Sequence, residues 1–88
     1  MNHFATYGRL REFLLGLGFE DRSGEYLAFS HPEVRSALLC MALHEPDEPM
    51  LERDVVKVRG VLELSGLIER DEFDAWVRNN RPQKATAS

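Results

Sequence analysis

Between Phe19 and Leu43 the chain reads FEDRSGEYLAFSHPEVRSALLCMAL, and this stretch decides the fold. Ser23-Gly24 is a turn signal between two short segments, Phe19–Arg22 and Glu25–Ser30, so the spacing predicts a β-hairpin. In the second segment Leu27 and Phe29 share one side while Tyr26, Ala28 and Ser30 share the other. The side of Leu27 and Phe29 is the better core face, which turns Tyr26 outward. Pro32 has no backbone N–H and biases His31 toward extended geometry, so His31–Ser36 reads as a connection. A third strand is expected over Ala37–Leu43. Its almost wholly apolar run, without alternation, predicts a central strand buried on both faces, with Cys40 as a small buried hydrophobe.

Outward from this stretch the period changes from two to that of a helix. Upstream, Leu10, Phe13, Leu14 and Leu17 make one apolar stripe, predicting a helix over about Thr6–Leu17 with Thr6 as its cap. Gly18 is placed for the left-handed residue that closes it. Downstream, Pro46 and Pro49 make His44–Met50 a loop. A helix is expected from Leu51 or Glu52 to the stop at Ser65-Gly66, with a stripe of Val55, Val58 and Leu62 widened by Val61 and Leu64. Gly60 inside it costs about 1 kcal/mol relative to alanine and marks close packing or a weak point. A last helix, about Glu69–Arg78, carries Phe73, Trp76 and Val77 toward the core, and residues 80–88 read as a polar tail. The order helix, three strands, helix, helix predicts one two-layer α+β domain over residues 1–79, with its helices on one face of an antiparallel meander.

Composition bounds the function. Eighty-eight residues leave room for one domain, whose small core makes a partner or a second copy of the chain a natural expectation. A net charge of -4 removes the argument for nucleic-acid binding by overall charge, so such binding needs a local basic patch. Arg53 and Lys57, one helical turn apart, with Arg59 on a neighbouring face, are the candidates. The competing reading is a solvated helix laced by pairs such as Arg59–Glu63. Arg78, Arg81 and Lys84 form a second basic stretch. The acids Glu45, Asp47, Glu48, Glu52 and Asp54 read as charge compensation at a helix start. A lone Cys40 excludes an internal disulfide and a cysteine zinc site, and implies a reducing, cytoplasmic setting. His3, His31 and His44 lie in separate segments without ligand spacing, so no metal or cofactor is expected, and His31 reads as a turn residue. No apolar run approaches ~18 residues and the first residues lack a leader pattern, so neither membrane insertion nor secretion is expected.

Four pieces of the chain together carry a family resemblance: Leu17-Gly18-Phe19, Gly24-Glu25-Tyr26-Leu27-Ala28-Phe29-Ser30-His31-Pro32, Leu62-Glu63-Leu64-Ser65-Gly66-Leu67, and Asp71-Glu72-Phe73. In this order and spacing they resemble the HicA (YcfA-like) family, small toxins of bacterial and archaeal toxin–antitoxin pairs. The resemblance implies a fold like that of double-stranded-RNA-binding domains, mRNA cleavage as an endoribonuclease, and a companion antitoxin. It also puts Tyr26 where the family carries the histidine assigned to cleavage, with Glu25 in place of the preceding serine. A phenol stays protonated near pH 7 and cannot serve as the general base that an imidazole can. Two functions follow as expectations. One is a HicA-like, RNA-directed toxin component with Tyr26 at the family's catalytic position and Arg53, Lys57 and Arg59 on the RNA backbone. The other is a non-catalytic interaction or oligomerisation module that uses its sheet edge or exposed aromatics.

Overall fold

The structure, a computed structural model, describes residues 5–80. The expected tail with Arg81 and Lys84, and His3, lie outside the described residues. The elements are α1 (Tyr7–Gly16), β1 (Glu20–Asp21), β2 (Leu27–Ser30), β3 (Leu38–Met41), α2 (Glu52–Ser65) and α3 (Arg70–Asn80). The α+β order expected from periodicity is therefore present.

Thr6 caps α1 in extended geometry, its Oγ1 accepting the Arg9 amide at 3.2 Å. The preceding amides find partners far along the chain. Tyr7 N–H donates to the Glu48 carbonyl at 3.0 Å and Gly8 N–H to the Pro46 carbonyl at 2.8 Å. Helix starts leave these donors orphaned, so the loop before α2 completes α1. At its other end Gly18 sits at φ +101, and a Cβ there would meet His31 Nε2 at 2.9 Å. His31 uses both ring nitrogens: Nδ1 accepts the Glu33 amide at 3.1 Å, which leaves the proton on Nε2 to bond the Leu17 carbonyl at 3.0 Å. The ring also stands edge-on to Phe19. It is a turn residue fastening β2 to the end of α1.

The three strands form an antiparallel meander in the order β1-β2-β3, pairing Asp21 with Phe29 and Phe29 with Leu39. Phe29, Leu39 and Met41 face the core, where Leu10 and Leu14 of α1 and Val55, Val58 and Leu62 of α2 bury their side chains. Phe73 of α3 is fully buried in the same cluster, while Trp76 stacks on Phe13 at 4.5 Å. Burying such side chains contributes roughly 1.5–3 kcal/mol each. Gly66, at φ +78, ends α2 where the glycine stop was expected.

Two expectations are corrected. First, β3 is an edge strand and β2 is the central one. Leu39 and Met41 point inward, but Leu38 is 58% exposed and the Cys40 thiol is free and exposed. A continuous apolar run does not distinguish two-sided burial from a one-sided strand whose outer face is also apolar, and here the helices cover only one face. Second, Leu64 is 89% exposed, so it does not widen the stripe of α2. Of the two alternatives at Gly60, the weak point holds: outside the helix's own neighbouring backbone, nothing lies within 4 Å of a Cβ built there.

Candidate functional site

Tyr26 lies in the bend that precedes β2, one residue before the Leu27–Met41 pair, and is 53% exposed. Glu25 beside it is exposed as well. Among the described residues Tyr26 has no hydrogen-bonded base. The basic residues singled out on α2 separate into two groups. Arg53 and Lys57 are exposed, and the Lys57 ammonium donates to the Cys40 carbonyl on β3 at 2.9 Å. Arg59 instead turns to α3 and pairs with Asp74 at 3.0 Å, not with Glu63, which pairs with Arg70. Arg53 and Lys57 thus share a face from which Arg59 is absent.

The bond from Lys57 marks the free edge of the sheet. Ala28 accepts the Arg22 amide and donates to Ser23 Oγ, so its backbone groups point toward β1. Its cross-strand partner Cys40 therefore sits in a non-hydrogen-bonded pair, and the Cys40 N–H and C=O point away from β2 to the open side. Edge strands expose such unpaired groups to any chain that can add a strand, and a lysine over the edge is a common guard. The segment Ser36-Ala-Leu-Leu-Cys-Met-Ala-Leu43 carries no charge, and Leu38, Cys40 and Leu43 are exposed along it.

Cations are distributed unevenly around this edge. Arg9, Arg11, Arg22, Arg59 and Arg70 each pair with a carboxylate. Among the described residues Arg35, Arg53, Lys57 and Arg78 form no ion pair. Arg35 stands in the turn leading into β3, and Arg53 and Lys57 stand on α2 beside it. Three of the four cations that form no ion pair among the described residues thus flank one strand.

A second polar cluster joins α1, the loop and α2. Tyr7 Oη donates to Asp54 Oδ2 at 2.6 Å and accepts the Leu51 amide at 3.1 Å. Both residues are buried, at 4% and 5% exposure. Burial and the bond to the carboxylate push the phenol up to about 12. His44 stacks flat on Tyr7 at 4.3 Å, and its Nδ1 meets Glu48 Oε1 at 3.2 Å. A carboxylate accepts only, so Nδ1 carries the proton and the buried Nε2 has no partner among the described residues. Asp54 is therefore more than helix-start compensation: it is one end of a buried bond. Sequence offered no signal for this cluster, because Tyr7 and Asp54 are 47 positions apart.

An open groove of about 320 Å³ lies between α2 and α3, lined by Val55, Val56 and Val77 with the Arg59–Asp74 pair. Among the described residues no group of three His, Cys, Asp or Glu side chains is placed to hold a metal, and no helix is long and apolar enough to cross a membrane. No family model, no curated protein and no solved structure matches this chain.

Proposed function

We propose that the protein is a HicA-like domain, with the fold of the double-stranded-RNA-binding class, that works by binding a protein partner and not by cleaving RNA. The observation that carries this reading is the β3 edge, which joins backbone groups that no strand pairs, an uncharged apolar outer face and a flank of cations without an ion pair among the described residues. The helix–three strands–helix order supports the ancestry that the sequence resemblance implies. The exposed phenol of Tyr26, where that family has its histidine, supports the loss of cleavage. On this reading the protein acts in the cytoplasm with Cys40 reduced, and its partner plays the part of an antitoxin.

A second reading, retained RNA binding, is favoured by the exposed Tyr26 ring, since aromatics on open surfaces stack on unpaired bases. Arg53 and Lys57 would contact phosphate, while Arg59 is already paired with Asp74. The test is incubation with an unstructured RNA oligonucleotide at low and high salt. The expected result is an intact oligonucleotide and no salt-dependent binding, because phosphate contacts weaken steeply as salt rises. Cleavage, or binding that fades with salt and is lost in Tyr26→Ala, overturns the protein-binding reading.

A further inference from the structure

We propose that the free edge of β3 accepts an extended segment of a partner protein as a fourth strand, and that this segment alternates apolar and acidic side chains. The inference rests on the reading above and names the partner's chemistry.

The backbone supplies the docking rail. Cys40 presents its N–H and C=O outward, and at present the carbonyl is held by Lys57 Nζ at 2.9 Å. Main-chain hydrogen bonds give strand addition its affinity, and the alternating side chains give it specificity. Side chains on one face of an added strand would continue the outer sheet face beside Leu38 and Cys40. Those positions are uncharged and Leu38 is 58% exposed, so the matching side chains are apolar. The other face of the added strand looks toward the helix layer, where α2 carries Lys57 and, one turn earlier, Arg53. Neither has a carboxylate partner among the described residues, so the matching side chains on that face are acidic. Arg35, in the turn before Leu38, offers a third cation at the end of the same edge.

Docking and charge pairing are coupled through Lys57. A partner amide that donates to the Cys40 carbonyl replaces the ammonium there, and the released ammonium can then pair with the partner's carboxylate. Without a partner, the same lysine covers the carbonyl and opposes pairing with a second copy. An RNA strand fits less well, because the outward positions of β3 are apolar and Glu25 and Glu52 stand next to Tyr26 and Arg53 in the chain.

The test uses the full chain, labelled with nitrogen-15, and three probes: a short synthetic peptide alternating valine and glutamate, the same peptide with lysine for glutamate, and the acidic peptide methylated at alternate backbone nitrogens. The acidic peptide is expected to shift the amide signals of residues 38–43. The lysine peptide is expected to bind at least about tenfold more weakly, as is the acidic peptide to Lys57→Glu or Arg35→Glu. Methylation is expected to abolish the shifts. Both variants alter exposed side chains, and a melting temperature close to that of the parent confirms that they fold. The proposal is overturned if the acidic peptide leaves these signals unmoved, if it binds Lys57→Glu unchanged, or if the signals change only with protein concentration, which would assign the edge to a second copy. RNA cleavage by the same sample overturns the protein-binding reading itself, whereas failure of the peptide alone removes only the strand-addition proposal.

Discussion

Replacing Tyr7 with phenylalanine keeps the ring on His44 and in the core but deletes one oxygen that serves two partners. The 2.6 Å bond to Asp54 involves a charged group and contributes roughly 1.5–3 kcal/mol, and the Leu51 amide left without its acceptor adds roughly 1 kcal/mol. The expected loss is about 3 kcal/mol. Burial is the main cause of the phenol's rise from 10.0 to about 12 and the bond to Asp54 the second, so the shift sets the pH range over which the effect is felt and not its size. The sign follows from linkage. Folding favours the neutral phenol, so this stabilisation is complete below pH 10 and is lost as pH rises toward 12. Urea unfolding of the parent and Tyr7→Phe at pH 8 should therefore differ by about 3 kcal/mol, with a drop in melting temperature of roughly 12–24 °C for a domain of this size. Repeated at increasing pH, the difference should shrink above pH 10. A gap below about 0.5 kcal/mol, or one that stays constant with pH, refutes the assignment of a buried phenol–carboxylate bond.

Two further substitutions probe the glycines. Gly18→Ala forces a side chain into positive φ and against His31 Nε2, so chemical denaturation should show a loss of about 2 kcal/mol or more. Gly60→Ala, inside α2, meets nothing within 4 Å beyond the helix's own neighbouring backbone and should stabilise the protein by about 1 kcal/mol in the same assay.

The parts of this fold that sequence reveals are those set by local rules. α1 announces itself by Leu10 and Leu14 one turn apart, by Thr6 at its start and by Gly18 at its end, and all of these act within a few residues. Gly66 ends α2 for the same reason. The position of β3 depends on something non-local, namely whether a layer covers its second face, and the run from Ala37 to Leu43 reads the same either way. Arg59 shows the limit at the level of single contacts. Glu63 lies one turn away on the same helix and looked like its partner, yet Asp74 on α3 takes that place once the helices pack. For the candidate site, the outward phenol of Tyr26 and the shared face of Arg53 and Lys57 were legible. The carbonyl that Lys57 covers was not, because Cys40 is 17 positions away on a strand expected to be central.

The carbonyls of Pro46 and Glu48 that complete the first turn of α1 have a bearing on the protein's birth at the ribosome. Synthesis delivers α1 first and these two acceptors some forty residues later, at roughly 5–20 residues per second. Throughout that interval the nascent helix has two donors with no mate in its own stretch of chain, and its apolar stripe gains a sheet to lie on only as β1, β2 and β3 are added in turn. The emerging polypeptide consequently commits to its native form late and as a unit, once the segment that carries Pro46 and Glu48 has been made.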